Sequence, residues 1–192
     1  VTLEELHDVI KNCTRCPLHK TRRNAVPGEG DIKLGIMIVG EAPGASEDEV
    51  GRPFVGAAGQ LLTKALAELG IQRGDVYITN VVKCRPPGNR PPAREEVEAC
   101  LPYLLKQISI LKPKRVVALG AVSAKTLLGL VGTEVEKVGD VRGKCYPGKI
   151  AGVQLEICVT YHPAAILRNP RLGEDFRRDI ATFFKGGLDR YF

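Results

Sequence analysis

Short apolar runs alternate with amphipathic stretches along this chain of 192 residues. The apolar runs have the length and the nearly unbroken hydrophobicity of strands covered on both faces; they lie at 34–39, 75–84, 114–120 and 155–163. The stretches between and after them have helical spacing; these helices are predicted at 59–70, 94–112, 121–129 and 174–186. Strands that alternate with helices predict a three-layer α/β/α sandwich around a central, mainly parallel four-stranded sheet.

Two further local elements complete this pattern. Residues 2–12 form a short helix that opens with a capping box, Thr2 facing Glu5 three places on. Residues 141–155 have the turn chemistry of a hairpin. No repeat or low-complexity linker divides the chain, so we expect a single domain over 1–192.

Polar side chains stand at the ends of three predicted strands. Gly40 and Glu41 follow the first, Asn80 lies near the end of the second, and His162 closes the fourth. Because ligands of open α/β sheets bind beyond the carboxyl ends of the strands, we expect these side chains to meet at one edge. Each also fits a structural role on its own: a helix cap, a satisfied core amide and a strand-terminating histidine.

The charge balance favours a polyanionic partner without identifying it. Lys and Arg number 28 against 22 Asp and Glu, and the pI is about 9.1. Phosphate contacts by such side chains release counterions. The irregular segment RPPGNRPPAR, residues 85–94, is stiffened by proline and offers Arg85 and Arg90 as phosphate contacts.

Composition also bears on the setting of the protein. No apolar run is long enough for a membrane span, and residues 1–30 are too charged for a signal peptide, so we expect a cytoplasmic monomer with no membrane partner. One Met, no Trp and 13 Pro are typical of a thermophile.

Six cysteines in such a chain point to ligands or catalysts more than to a disulfide framework. Cys13 and Cys16 form a C-x₂-C pair, whereas Cys84 and Cys100 lie far apart in sequence. That spacing leaves zinc, an iron–sulfur cluster and disulfides open. Cys145 and Cys158 could form a disulfide or remain two separate buried thiols.

Three segments resemble the motifs of family 4 uracil-DNA glycosylases. They are GEAPGASEDEVGRPFVGAAGQLL at 40–62, TNVVKCRPP at 79–87 and HPAAILR at 162–168. They occur in the family's order, and the resemblance runs from about residue 12 to 180. It implies a uracil-DNA glycosylase-like fold and a monofunctional base-excision repair enzyme that flips uracil out of DNA, hydrolyses its N-glycosidic bond and leaves an abasic site.

The resemblance also implies how the base is held. Phe54 is the aromatic floor on which the base stacks, and Asn80 offers its carbonyl to uracil N3–H and its amino group to O4. Glu47 sits against C5 and excludes the methyl group of thymine. Gly40 lines the same pocket.

Catalytic roles fall to the two strand-end residues that carry titratable groups. By resemblance, His162 donates to uracil O2 as negative charge develops there. The backbone N–H groups of Glu41 and Ala42 are further candidates for O2. Glu41 either orients water or stabilises the oxocarbenium form of the sugar. In a related branch of these glycosylases, an Asp associated with the attacking water occupies the position that is Ala42 here. The role of Glu41 therefore stays open.

The remaining implied contacts concern DNA and iron. Either Ile166 or Leu167 is the wedge that fills the gap left by the flipped base, with Arg168 on a nearby phosphate, although both apolar residues could equally be core. A 4Fe–4S cluster is implied on four thiolates, clamping the N-terminal segment and the loop 85–99; these are Cys13, Cys16, Cys84 and Cys100.

Partners and alternatives follow from the same observations. The expected partner is uracil-containing DNA, single- or double-stranded. The C-terminal GGLDRYF, residues 186–192, is either a docking tail for a sliding clamp or an ordinary chain end. Two other functions remain: an electron carrier with an iron–sulfur cluster, and a glycosylase that also accepts hypoxanthine or damaged cytosine.

Overall fold

A six-stranded mixed sheet forms the centre of the molecule, in the order β1-β3-β2-β4-β6-β5. The computed structural model describes residues 1–189, with side chains through Phe184. The strands are β1 (Glu29–Gly30), β2 (Ile36–Gly40), β3 (Tyr77–Asn80), β4 (Arg115–Leu119), β5 (Cys145–Ile150) and β6 (Val153–Thr160). β3, β2, β4 and β6 are mutually parallel, and β1 and β5 pair antiparallel at the two edges.

Helices cover both faces of this sheet. They are α1 (Leu3–Lys11), α2 (Ala45–Val50), α3 (Ala57–Glu68), α4 (Arg94–Leu111), α5 (Ala121–Gly129), α6 (Val138–Val141), α7 (Pro163–Arg168) and α8 (Gly173–Asp189). One of the two hydrogen bonds of the predicted capping box is confirmed, because the Thr2 hydroxyl accepts the Glu5 N–H at 3.1 Å. No helix within residues 1–189 has the length and apolar character needed to cross a bilayer.

Alternation along the strands divides the apolar residues between two cores. Met37 and Val39 of β2 pack toward the face covered by α1, α4 and α5, whereas Ile36 and Ile38 pack toward α3 and α8. All four side chains are at most 2% exposed. Burial of one such side chain contributes about 1.5–3 kcal/mol. The predicted α/β/α sandwich is therefore confirmed.

The strand count is where the prediction of a four-stranded sheet is wrong. The four predicted strands are the parallel centre, and β1 and β5 extend it at either edge. β1 has only two residues and carries no apolar run, so periodicity does not reveal it. β5 is one arm of the predicted hairpin, which is confirmed by its pairing with β6.

A disulfide links the two arms of that hairpin. Cys145 and Cys158 are directly opposed in the β5–β6 register and are bonded. Of the two alternatives for these residues, the disulfide is thus the one observed. It fixes the edge strand to the strand that ends two residues before His162.

Candidate functional site

The ends of β2 and β3 meet where the polar residues were expected. Gly40 pairs with Asn80 in the parallel register. A Cβ at position 40 would lie 2.5 Å from Phe54 Cζ and 2.6 Å from Asn80 Oδ1. Glycine is therefore required here by close approach, and it brings the aromatic ring and the amide together.

Asn80 presents a buried acceptor without a partner. The residue is 2% exposed, and its Oδ1 accepts no hydrogen bond from any described residue. An unmet buried acceptor costs about 1–3 kcal/mol. The satisfied core amide considered from the sequence is therefore not what the structure shows; Oδ1 is available to a donor on a ligand.

Phe54 is held in a constrained conformation beside His162. Its φ is +50°, a region that non-glycine residues seldom adopt. Its ring centroid lies 5.5 Å from that of His162, with 30° between the planes. Arg73 holds the segment from below: Nη1 donates to Phe54 O at 2.6 Å and Nη2 to Pro53 O at 2.7 Å. Two charge-assisted hydrogen bonds thus offset the backbone strain.

Glu47 joins the two loops that form the site. Its carboxylate accepts the backbone N–H of Gly44 at 2.9 Å, of Val55 at 2.9 Å and of Gly56 at 2.7 Å. Gly44 follows β2, and Val55 and Gly56 directly follow Phe54. The acid that the sequence presents as an exposed side chain of SEDE is consequently a bridge with a fixed position.

His162 is neutral with a defined tautomer. Its Nδ1 accepts the Ala164 N–H at 3.0 Å, so the ring proton is on Nε2. Desolvation, helped by the charge of Arg168, lowers the pKa of His162 to about 4. A Cβ at Gly120 would lie 2.9 Å from His162 Cβ, so the end of β4 packs directly against this residue. Near neutral pH the imidazole can therefore offer an N–H donor without being charged.

Glu41 is partly buried at the end of β2. Desolvation raises the pKa of its carboxyl, and the positive charge of Arg168 partly offsets the rise. Its own backbone carbonyl accepts the Val82 N–H at 3.0 Å, which continues the pairing of the β2 and β3 segments. Ala42 next to it is partly buried as well. Glu41 and Asn80 therefore sit on neighbouring chain segments.

The candidate DNA-contacting residues differ in their exposure and in the bonds that they already form within the protein. Arg90 forms a two-point ion pair with Glu96, at 2.8 and 2.9 Å. Among the described residues Arg85 bonds through Nε only, to Asn89 Oδ1 at 2.7 Å. Ile166 is 6% exposed and packs in the core, while Leu167 is 51% exposed. Arg168, which follows, is exposed too.

The four remaining cysteines converge from three chain segments on one cavity. All four line this pocket; they are Cys13, Cys16, Cys84 and Cys100. Within residues 1–189 no group of three or more His, Cys, Asp or Glu side chains is arranged to hold a metal ion directly. The pocket nevertheless has the chemistry of a thiolate-bound cluster, with N–H donors aimed at sulfur.

Three such donors are present around this cavity. Arg15 N donates to Cys13 Sγ at 3.4 Å, the Arg22 guanidinium to Cys84 Sγ at 3.2 Å, and Lys83 N to Cys100 Sγ at 3.3 Å. Hydrogen bonds to sulfur stabilise the negative charge of cluster-bound thiolates. The residues present therefore fit a four-cysteine iron–sulfur cluster.

Sequence analysis missed two residues that hold the site. Arg73 anchors the Phe54 segment, and Lys83 is buried beside Asn80. Arg73 lies in the polar segment QRGD, which suggests an exposed cation, whereas Lys83 follows two valines in VVKC. Arg73 bonds to Pro53 and Phe54, and Lys83 bonds to Gln107 besides Thr79 and Asn80; no local signal reveals the distant pairings.

The comparisons with known proteins agree with this geometry. The model of the uracil DNA glycosylase superfamily matches residues 27–185. A type-4 uracil-DNA glycosylase of Pyrobaculum aerophilum is 71% identical over 189 residues, covering 98% of this chain and 96% of the relative. A type-4 enzyme of Archaeoglobus fulgidus is 47% identical over 181 residues, covering 93% and 91%. A type-5 uracil-DNA glycosylase of Pyrobaculum aerophilum is 35% identical, covering 82% and 80%.

Proposed function

This chain belongs to the uracil-DNA glycosylase superfamily, as a type-4 enzyme that removes uracil from DNA, and on that premise we propose that Asn80, Phe54 and His162 hold and cleave the flipped nucleotide. The observation that carries the proposal is the buried, unpartnered Oδ1 of Asn80 at the end of β3. Uracil N3–H is a donor of matching chemistry.

Recognition of uracil follows from that acceptor. Oδ1 accepts uracil N3–H, and the amino group of the same side chain donates to O4. Cytosine lacks the N3 proton and carries a donor in place of O4, so it would leave Oδ1 unpaired. A site with buried polar groups left unpaired rejects the wrong substrate by about 10⁴-fold.

Phe54 and Gly40 supply the surface under the base. Phe54 is 6% exposed, and Arg73 holds its backbone carbonyl. Absence of a side chain at Gly40 allows the Phe54 ring and Asn80 Oδ1 to lie close together. Stacking on an aromatic ring contributes about 1–3 kcal/mol per base.

His162 stabilises the leaving group. The bond between C1′ of the sugar and N1 of uracil breaks with its electron pair remaining on the base, and the negative charge spreads to O2. Nε2–H of the neutral imidazole donates to O2, and backbone N–H groups of Glu41 and Ala42 are further donors. A preorganised donor of this kind contributes about 2.7–4 kcal/mol to lowering the barrier.

Hydrolysis is completed by water at C1′. Glu41, an anion beside the developing positive charge on the sugar, orients the water and stabilises the oxocarbenium ion. The oxygen of water bonds to C1′, its proton is released to solvent or base, and the products are free uracil and an abasic site. A raised pKa for Glu41 makes it a stronger proton acceptor than an ordinary exposed glutamate.

Glu47 is proposed to exclude thymine. Its three backbone hydrogen bonds leave the carboxylate little freedom to move away from a methyl group. A barrier has to be rigid in this way, because a mobile side chain would yield to the extra volume. The matched test is the rate on thymine opposite guanine in Glu47→Ala.

Contacts with DNA are assigned by exposure. Leu167 is the wedge, since Ile166 is needed in the core, and Arg168 and Arg85 contact phosphates. Arg90 contacts phosphate only if its pair with Glu96 opens. Exposed apolar side chains that enter a base step stabilise an extrahelical nucleotide by occupying its place.

A 4Fe–4S cluster is proposed on the four-cysteine cavity. When bound, it would supply Fe–S bonds that tie α1 and its following loop to the segment after β3 and to α4. Cys13, Cys16, Cys84 and Cys100 would be its ligands. This is an architectural role, because the cluster would fix both ends of the loop 85–99.

The same proposal covers the setting of the enzyme. It acts as a single-domain monomer on uracil in single- or double-stranded DNA, in the cytoplasm where that DNA lies. The family match over 27–185 fits one domain. The possible clamp-binding tail GGLDRYF extends beyond the described residues.

The direct test is a labelled oligonucleotide with one uracil, incubated with the protein and then treated with hot alkali. We expect strand cleavage at the uracil with the parent protein and a large loss with Asn80→Ala. Equal cleavage by Asn80→Ala would reject the assignment of Asn80. A panel with hypoxanthine and damaged cytosine tests the broader specificity, which predicts cleavage at those bases as well.

A further inference from the structure

Lys83 is a fully buried cation that hydrogen-bonds to the backbone of Asn80. The residue is 1% exposed. Its Nζ donates to Thr79 Oγ1 at 2.7 Å, to Asn80 O at 2.6 Å and to Gln107 Oε1 at 2.8 Å. An ammonium has three protons to donate, and all three are used.

The cost of this arrangement argues against a purely structural role. None of the ion pairs found among the described residues includes Lys83, and its three acceptors are neutral. Replacing buried charges by apolar residues of similar volume is often neutral or stabilising, so stability alone does not account for a lysine here.

The surrounding hydrogen bonds have only one consistent direction. Because Thr79 Oγ1 accepts from Lys83, its own proton goes to Pro27 O at 2.7 Å. Because Gln107 Oε1 accepts from Lys83, its Nε2 donates, to Pro27 O at 2.8 Å and to Tyr77 OH at 3.1 Å. Reversal of the Gln107 amide would point N–H at an ammonium. The network therefore locks one geometry at the end of β3.

The backbone that this network holds is the one from which the side chain of Asn80, proposed to bind uracil, extends. Asn80 is the last residue of β3, and its carbonyl is bonded by a side chain only three residues further on. Val81 N donates to Gly40 O at 2.9 Å, so the chain stays beside β2 as it leaves the strand. Lys83 thus fixes the peptide that orients the Asn80 amide.

We propose that Lys83 is a positioning residue, which holds the C-terminal end of β3 so that Asn80 presents its unpartnered Oδ1 to uracil. The inference rests on the proposed function of Asn80. It assigns Lys83 no contact with substrate. Sites that act through geometry tolerate displacements of only about 0.5 Å.

The primary test is Lys83→Met in the full-length, cluster-containing protein. Methionine keeps the length and the apolar stem but cannot donate. We expect the single-turnover rate of uracil excision to fall about 10- to 100-fold, as for a displacement of the order of 1 Å. Binding of undamaged duplex should stay unchanged. Lys106→Met, which removes an exposed cation from α4, is the matched control and should leave both values unchanged.

A double-mutant cycle separates positioning from a general effect. If Lys83 acts through Asn80, Lys83→Met should have no further effect on the rate in an Asn80→Ala background. Additive losses would overturn the proposal, and so would a normal rate in Lys83→Met. A normal rate in Asn80→Ala would instead reject the role of Asn80, and with it the premise.

Two controls cover a folding or cluster defect. Lys83→Met should keep the brown colour of the cluster, because the bond to Cys100 comes from the backbone N–H; loss of colour together with activity would overturn the proposal. If Lys83→Met does not fold, Thr79→Val keeps Lys83 and the volume but removes one acceptor. A smaller loss that disappears in the Asn80→Ala background supports the proposal, and an additive or absent loss overturns it.

Discussion

Replacement of Asn80 by leucine should abolish uracil excision and at the same time stabilise the folded protein. Leucine has nearly the same shape as asparagine but no polar atoms. In the structure Asn80 Oδ1 is buried without a donor, which costs about 1–3 kcal/mol. Removing the group recovers that cost, while a similar volume avoids a cavity. We therefore expect the free energy of unfolding to rise by about 1 kcal/mol or more.

Gln107→Leu is the contrasting control. Gln107 is also a buried amide, but its oxygen and nitrogen bond to Lys83, Pro27 and Tyr77. Its replacement leaves those groups unpaired and should lower the free energy of unfolding by several kcal/mol, of the order of 1–3 kcal/mol for each unmet group.

The assay is thermal unfolding of the parent and both variants, alongside the hot-alkali cleavage assay. A change of 1 kcal/mol corresponds to a shift of about 2–4 °C in Tm for a protein of this size. Destabilisation of Asn80→Leu as large as that of Gln107→Leu would refute the reasoning, because it would mean that Oδ1 has a partner in the free enzyme.

Three further predictions concern other parts of the site. The pKa of His162 is lowered from 6.5 to about 4, so between these pH values the unfolded chain binds a proton that the folded protein does not. The free energy of unfolding therefore decreases as the pH falls from 6.5 to about 4. His162→Gln should reduce this decrease when unfolding is measured as a function of pH. His162→Gln should also retain less activity than the parent at every pH. Arg73→Met should loosen the Phe54 segment and weaken binding of uracil-containing DNA in a fluorescence titration. Arg52→Met, which replaces an exposed arginine, should not; equal effects of the two variants would contradict the role of Arg73 in holding Phe54. Leu167→Ala should slow excision from duplex far more than from single strands, while Ile166→Ala should lower stability by about 2–5 kcal/mol; an equal loss on both substrates would reject Leu167 as the wedge.

Much of this site could be predicted from the sequence because it lies at strand ends. An asparagine inside YITNVV and a glutamate straight after a buried run are conspicuous against their apolar neighbours. Parallel strands bring their carboxyl ends to one edge, so the convergence follows from topology. The electron-carrier alternative, which left Asn80 and Phe54 without a role, is wrong.

The residues that hold the site could not be predicted in this way. Arg73 bonds to carbonyls about twenty positions away, and Lys83 depends on Gln107 from the following helix. Long-range pairing of this kind has no periodicity. Glu47 is similar, since its backbone partners are undistinguished in sequence. The edge strand β1 was missed for a different reason, because it is too short for a hydrophobic signal, whereas β5 was expected as one arm of the hairpin.

The two edge strands of the sheet are held by different interactions, and this difference determines which edge unfolds locally first. At one margin a covalent crosslink joins β5 to β6, whereas at the other β1 contributes only two paired residues. Local fluctuations should therefore begin at the β1 side, and backbone amides there should exchange with deuterated solvent sooner than those of the crosslinked hairpin. Glu29 of β1 pairs with Arg52 and with Arg73, so the less tightly held margin of the sheet adjoins the arginine that bonds to the Phe54 segment.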